Sequence, residues 1–263
     1  MEALEVNCVG ASSNRLVRRL GEAFYGRKRG RVRALNDLAG AGLPVPDGVV
    51  LTKEAHEAFL EASGVLEGVK IGAWRGEEPL QKASEIRLRY GSTPVGAELN
   101  RAICQALIGL GAPVVIVLSD SYEQGSLRTI PDVLDAVREA WLSAEGLKWQ
   151  IQNAALGEEI PTWPVLIQKE INPIYTGWSS VETAPVETPR VGGHSARSNV
   201  ALYEVEPAGG EGPERKGITR LALEAASVLG DRPRILWGLE DAQWYVLSTE
   251  MREDENLVQG WFS

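Results

Sequence analysis

The chain has 263 residues, of which 44% are hydrophobic and 24% charged, and its formal net charge is −9 at pH 7. These values are ordinary for a soluble globular protein. No apolar run approaches the ~20 residues of a membrane span, and the N-terminus lacks the basic-then-apolar pattern of an export signal. Cys8 and Cys104 lie in no metal-binding spacing and fit a reducing compartment, so we expect a cytoplasmic protein.

The positive charge is concentrated near the N-terminus, in the stretch "GRKRGRVR" over 26–33. Residues 1–35 carry a net charge of +5, which leaves −14 on the rest of the chain. A basic run of this kind suggests a local anionic ligand or partner, whereas a nucleic-acid coat would need a broader basic face. The alternative is a solvated basic loop with no ligand.

Hydrophobic periodicity in the first half predicts helices mixed with strands of the parallel type. The apolar run 113–119 has the length of a strand that is buried on both faces. The predicted elements are a strand over 4–9, a helix over 12–25, a helix around Leu35 and Leu38, a strand over 49–52, a helix capped by Thr52, helices over 79–90 and 95–110, the strand over 113–119 and a helix over 130–145.

The second half is richer in strands and ends in a hairpin. Its predicted elements are strands over 164–171, 176–183 and 199–206, a loop over 207–217, a helix over 218–229 and a hairpin that turns near 240–242. This order predicts an α/β or α+β fold with two lobes, an N-terminal lobe over 1–112 and a second lobe over 113–263.

Four segments, taken in order, resemble the N-terminal nucleotide-binding domain of the phosphoenolpyruvate synthase and pyruvate phosphate dikinase family. They are "LNDLAGAGLPVPDGVVLTKEAHEAFLE" (35–61), "VVIVLSDS" with the helix after it (114–143), "VLIQKEINPIYTGWSSVETAP" (165–185) and "LALEAASVLGDRPRILWGLEDAQWYVLSTEM" (221–251). That domain is related to the ATP-grasp fold. The resemblance therefore implies a two-lobed, ATP-grasp-like domain, with ATP and Mg²⁺ as the expected ligands if the chain binds any.

Some positions of the family's nucleotide site keep a usable side chain or backbone here. Arg31 replaces the phosphate-binding lysine and still offers a permanent charge, although Val32 replaces the glycine that follows it. In the family, the strand edge at 168–171 meets the base through backbone groups. The resemblance thus implies a weak nucleotide or other anion site at Lys28, Arg31, Ser119, Gln168, Glu170 and Ile171.

Other positions lose their charge or reverse it. Leu118 and Glu250 stand where the family has phosphate-contacting arginines, and Leu236 stands where it has an acidic residue that helps to hold magnesium. Two lost bonds to charged groups remove roughly 3–6 kcal/mol of binding free energy. Between 121 and 128 the family's flexible phosphate segment is shortened to "YEQGSL". We therefore predict no catalytic residue and no metal ligand set.

The histidines and tryptophans add no recognisable catalytic motif. His56 is predicted on a helix surface and His194 in an exposed loop, and two unrelated histidines do not form a metal site. Trp141, Trp178 and Trp237 are predicted in the core. Trp74, Trp163 and Trp261 are predicted in loops or the tail, where exposed aromatic side chains often mark a contact with another protein.

Two functions remain open from the sequence. The substituted positions favour a non-catalytic descendant, a pseudoenzyme that serves as a scaffold, regulatory or assembly subunit and contacts another protein subunit. The alternative is an ATP-binding phosphotransferase subunit that works with separate histidine and substrate domains. An RNA or anion binder that uses the arginine loop is a weaker third possibility.

Overall fold

The computed structural model describes residues 15–22, 30–64, 87–119, 122–142, 164–183, 198–207, 215–230 and 233–250. Some predictions lie outside these residues: the strand over 4–9, Cys8, Lys28, His194, Trp74, Trp163 and Trp261. Within the described part, no helix has both the length and the apolar character needed to cross a bilayer.

The described elements confirm the mixed α/β class. In chain order they are β1 (Val17–Arg19), α1 (Arg31–Gly40), β2 (Gly48–Leu51), α2 (Lys53–Ala62), α3 (Ala97–Leu110), β3 (Val114–Ser119), β4 (Tyr122–Leu127), α4 (Ile130–Trp141), β5 (Val165–Lys169), β6 (Tyr175–Thr183), β7 (Ser198–Pro207), α5 (Arg215–Leu229), β8 (Arg234–Glu240) and β9 (Gln243–Glu250). Residues 87–92 are also helical.

The chain forms two compact units, each made of two separate segments. The first unit is Met1–Ala23 with Asp47–Glu170, and the second is Phe24–Pro46 with Ile171–Ser263. This division does not coincide with the lobe boundary predicted between 112 and 113. The physical reason is that β5 is hydrogen-bonded to both β2 and β3, which keeps residues on both sides of that boundary in one sheet.

The first unit contains a sheet of five strands in the order β1-β2-β5-β3-β4. All of its pairings are antiparallel, with Val17 opposite Leu51, Val49 opposite Ile167 and Ile167 opposite Ile116. The prediction of parallel-type strands was therefore wrong. An apolar run such as 113–119 indicates burial on both faces, and burial alone does not fix the strand direction.

Two further local predictions are corrected in this sheet. The predicted helix over 12–25 contains β1 instead, because Leu16 enters the core and Val17–Arg19 pair with β2. The segment "YEQGSL" was predicted to be a shortened loop, and it forms β4, an edge strand antiparallel to β3. In both places pairing with a neighbouring strand overrides the local signal.

An aromatic cluster fills the core of the first unit. Trp141 is fully buried, as predicted, and its ring centroid lies 5.0 Å from that of Phe59, which makes an edge contact with Tyr90 at 5.1 Å. His56 is fully buried as well and stacks on Trp141, with centroids 4.8 Å apart. The prediction of a surface His56 was wrong, because this face of α2 turns toward α4 and the core.

The residues just before two helices, α4 and α2, make different hydrogen bonds at the helix N-terminus. The α4 N-terminus has a capping box, in which the Asp132 N–H donates to Thr129 Oγ1 and the Thr129 N–H donates to Asp132 Oδ2, each at 3.3 Å. Thr52 precedes α2 as predicted, but its side chain does not cap the helix. Its hydroxyl instead donates to the Arg15 carbonyl at 2.6 Å.

The second unit contains a sheet of four antiparallel strands in the order β7-β6-β8-β9, contacted by α1 and α5. This arrangement confirms the predicted C-terminal hairpin, whose turn residues Asp241 and Ala242 both have positive φ. Gly217 lies so close to Trp244 that an added Cβ would lie 2.4 Å from the indole nitrogen. A glycine at this point lets the start of α5 approach β9.

One face of the second sheet is buried and carries unusual polar groups. Ser179 lies opposite Ile235, which lies opposite Thr249, and all three are at most 1% exposed. Neither the Ser179 hydroxyl nor the Thr249 hydroxyl has a hydrogen-bond partner among the described residues. A buried hydroxyl without a partner costs about 1–3 kcal/mol of folding free energy.

We predict that Thr249→Val stabilises the protein by about 1 kcal/mol, because valine keeps the shape of threonine and removes the unpaired hydroxyl. The measurement is urea unfolding followed by tryptophan fluorescence. Thr129→Val is the matched control and should destabilise by about 1 kcal/mol, because it removes a helix cap. A loss of stability in Thr249→Val would show that the hydroxyl is hydrogen-bonded.

We also predict that folding stability falls in mild acid because of His56. Burial lowers the pKa of His56 from 6.5 to about 3, so the unfolded chain takes up this proton first as the pH falls. The contribution of His56 is therefore complete above pH 6.5 and declines between pH 6.5 and 3, by about 2 kcal/mol at pH 5. The measurement is the free energy of unfolding at pH 7 and pH 5.

His56→Phe is the matched variant for that measurement, because it keeps a ring against Trp141 and removes the titrating group. Between pH 7 and pH 5, the free energy of unfolding should fall by about 2 kcal/mol more in the wild type than in His56→Phe. Equal losses in the two proteins would contradict a neutral, buried His56.

Candidate functional site

The second sheet has one face that carries partly exposed charged groups together with buried hydroxyls. In an antiparallel sheet, residues directly opposite one another point to the same face, and so do residues two apart on one strand. Ser180 lies opposite Arg234 and Arg234 opposite Glu250, while Trp178 lies opposite Leu236 and Leu236 opposite Ser248. We call this set of residues the polar face: Trp178, Ser180, Arg234, Leu236, Ser248 and Glu250.

Arg234 organises the charge on the polar face. Its Nη1 lies 2.9 Å from Glu250 Oε2, and its guanidinium carbon lies 4.6 Å from the centroid of the Trp178 ring. The Arg234 side chain is 29% exposed and the Glu250 side chain 49% exposed. A pair as exposed as this contributes at most about 1 kcal/mol, but it neutralises the carboxylate locally.

Two of the positions predicted to have lost their ligands therefore lie together on the polar face. Leu236 is half-buried on β8, two residues from Arg234 and one strand away from Glu250. Trp178, predicted in the core, is half-buried on this face. Trp237 points to the opposite face and is fully buried, as predicted. The polar face thus presents an ion pair and an aromatic ring, while its two serines are buried.

Arg31 belongs to the same unit but is not an exposed loop residue. It is the first residue of α1, follows Gly30, and is 8% exposed, so little of its side chain faces solvent. The α1 helix contacts β9, and the Val246 N–H on β9 donates to the Pro44 carbonyl just after α1 at 2.8 Å. Arg31 is therefore built into the fold of the second unit.

In the first unit, the strand edge predicted to meet a base lies in the middle of the sheet. Gln168 is 3% exposed, and β5 pairs with β2 on one side and with β3 on the other. At the end of this strand, the Lys169 N–H donates to the Asp47 carbonyl and the Glu170 N–H to the Pro113 carbonyl. These two backbone donors are already used inside the unit, so they are not free to bond to a base.

The Glu170 carboxylate contacts β4. Its Oε2 accepts a hydrogen bond from the Ser126 N–H at 2.7 Å, and its Oε1 accepts one from the Ser126 hydroxyl at 2.9 Å. Ser126 has a positive φ of 59°, which is uncommon for a residue with a side chain. Both oxygens of Glu170 thus hold a strained strand residue in place.

The described ranges contain no magnesium site built from protein side chains alone, because no group of three or more acidic, histidine or cysteine side chains comes together there. In nucleotide sites, one or two carboxylates together with phosphate oxygens usually hold Mg²⁺. Leu236 supplies no oxygen, and Glu250 is paired with Arg234. Leu118 and Ser119 lie on β3, and only the backbone of these two residues is described. Ile171 directly follows Glu170 and is the first residue of the second segment of the second unit.

Sequence comparison finds one informative relative. The chain is 28% identical to the phosphoenolpyruvate synthase of Aeropyrum pernix over 173 residues, which are 54% of this chain and 21% of that protein. This match confirms the predicted resemblance to phosphoenolpyruvate synthase. The chain spans about a fifth of this relative's length, and no family model matches it.

Solved structures with a similar arrangement come from several enzymes. D-alanine–D-alanine ligase from Bacillus anthracis overlaps 84% of this chain and 55% of its own, with 12% identity and a TM-score of 0.42. The ADP complex of N5-carboxyaminoimidazole ribonucleotide synthetase overlaps 87% of this chain and 46% of its own, with 13% identity and a TM-score of 0.42. An ATP-grasp RimK domain protein from Sphaerobacter thermophilus overlaps 88% of this chain and 61% of its own, with 15% identity and a TM-score of 0.41.

The sequence did not single out several residues that shape these surfaces. No motif of the resemblance marks Arg234, because the family's acidic position falls on Leu236, two residues further on. The alternation of β8 and β9 could have shown that Arg234 and Glu250 share a face. No sequence signal marks Ser126 as the partner of Glu170, because the two residues are 44 positions apart.

We predict that Glu170→Gln destabilises the protein by about 1–2 kcal/mol, because it weakens two charge-assisted bonds to Ser126 in a partly exposed setting. The measurement is the free energy of unfolding in urea. Lys169→Gln is the matched control, since Lys169 is an exposed neighbour on the same strand, and it should change stability by under about 0.5 kcal/mol. Equal effects of the two substitutions would contradict a structural role for the carboxylate.

Proposed function

We propose that the protein is a cytoplasmic, non-catalytic relative of the phosphoenolpyruvate synthase nucleotide-binding domain, and that it acts as a scaffold, regulatory or assembly subunit of a protein complex. The sequence match supports the origin of the domain. The proposal that the catalytic activity was lost rests on the polar face, where the charge of Glu250 is paired with that of Arg234.

The Arg234–Glu250 ion pair is the observation that carries this proposal. Phosphoryl transfer depends almost entirely on positioning and on neutralising phosphate charge with metal ions and cations. On the polar face, Glu250 places a negative charge where the resemblance expects a cation, and the nearby cation Arg234 is engaged with it at 2.9 Å. A triphosphate would have to compete with Glu250 for Arg234 while being repelled by the same carboxylate.

The remaining anchor positions point the same way. Leu236 cannot bind a metal, Arg31 is 8% exposed, and Glu170 has both oxygens on Ser126. Each of these side chains has a structural role within its own unit. A fold preserved without its charged ligands is suited to presenting a surface to another protein.

We predict that Mg·ATP does not stabilise the protein. A ligand at one hundred times its dissociation constant raises the free energy of unfolding by about 2.7 kcal/mol. The measurement is chemical unfolding with and without about 5 mM Mg·ATP, with sodium sulfate at equal ionic strength as the salt control. We expect the two unfolding curves to coincide.

A saturable stabilisation by Mg·ATP that is absent in sulfate would overturn the proposal and favour an ATP-binding phosphotransferase subunit.

The subunit role is tested separately, by measuring the mass of the protein isolated from cells at its native abundance. We expect an assembly of defined stoichiometry with another protein, and a solitary monomer would count against a subunit role.

A further inference from the structure

A cavity of about 170 Å³ opens on the first unit, and none of the residues that line it belongs to the polar face. Its walls come from the C-terminal part of α3, from β3 and β4, and from the start of α4. These elements are firmly held, because β3 and β4 are hydrogen-bonded to each other and α4 begins with a capping box. The cavity walls are therefore formed mainly by helices and strands.

The floor of the cavity is apolar. Val114, Leu127 and Val133 line it, and all three also belong to the hydrophobic core of the first unit. Cys104 forms part of the wall, is 5% exposed, and directs its thiol hydrogen to Asn100 Oδ1 at 3.2 Å. A dry apolar cavity of about 150 Å³ is enough to bind benzene, so this space accepts a body of about six carbon atoms.

The rim adds a positive charge and a hydroxyl. Arg128 is an exposed lining residue, and no described acidic side chain forms an ion pair with it. Thr129 Oγ1 accepts the Asp132 N–H, which leaves the hydrogen of its own hydroxyl as a donor. A guanidinium and a hydroxyl beside an apolar floor are suited to a ligand with a carboxylate at one end.

We propose that this cavity binds a small carboxylate whose apolar part is a single aromatic ring or a branched chain of about six carbons. The ring occupies the floor formed by Val114, Leu127 and Val133, and the carboxylate meets Arg128 at the rim. This site is independent of the proposed function, because none of its residues takes part in the polar face.

Methyl NMR of the full chain tests the proposal, with benzoate as the probe. Isotope-labelled Ile108, at the rim and 73% exposed, and Val133, at the floor, report on opposite ends of the cavity. We expect both methyl signals to shift together, with half-saturation at ~1 mM for a ligand of nine non-hydrogen atoms such as benzoate. No shift of either signal at 10 mM, about ten times that value, would overturn the proposal.

Charge recognition is tested with Arg128→Gln and with benzyl alcohol, a neutral probe of similar size. We expect Arg128→Gln to weaken benzoate about three- to tenfold and to leave benzyl alcohol unchanged. Arg101→Gln is the matched control, since Arg101 is an exposed arginine on α3 outside the cavity lining, and it should leave both probes unchanged.

Two further results would overturn the proposal. Equal binding of both probes that is insensitive to Arg128→Gln would leave an apolar cavity with no preference for carboxylates. A methyl shift that depends on protein concentration and not on benzoate would identify the surface as a contact between copies of the chain.

Discussion

The ion pair between Arg234 and Glu250 is the interaction on which the functional interpretation depends. A carboxylate on the surface of a sheet attracts cations, and here a guanidinium from the adjacent strand already occupies it at 2.9 Å. Stacking of the same guanidinium on Trp178 restricts it further. The charges of Arg234 and Glu250 are thus satisfied by side chains of the polar face itself.

In the first unit, too, titratable side chains are bonded to or packed against neighbouring residues. Glu170 is another carboxylate at a position that the resemblance assigns to nucleotide, and its two oxygens bind the backbone and hydroxyl of Ser126. His56 loses its charge to burial and acts as an aromatic ring against Trp141. Groups that in other settings carry chemistry contribute here to packing and local geometry.

Much of the fold could be predicted from the sequence, because long periodic helices and the C-terminal hairpin carry strong local signals. The α4 helix has Pro131 in its first turn and an apolar stripe, and β8 and β9 flank a short polar turn. The failures lie where long-range pairing decides. Val17 fits a helix pattern but pairs with β2. His56 was expected at the surface, although it lies three and four residues before Phe59 and Leu60 and therefore shares their buried face of α2. For the polar face, the sequence directs attention to Leu236 and Glu250, whereas the pairing of Arg234 with Glu250 depends on the register of β8 and β9.

The division of the chain has a practical consequence for handling the protein in pieces. The segment Phe24–Pro46, which contains α1, belongs with residues after Ile171, while the sequence on both of its sides belongs with the other unit. A gene fragment cut at residue 170 would therefore carry α1 without β9, leaving Leu35 and Leu38 with no sheet to cover. A split that respects the architecture requires a circularly permuted or spliced chain.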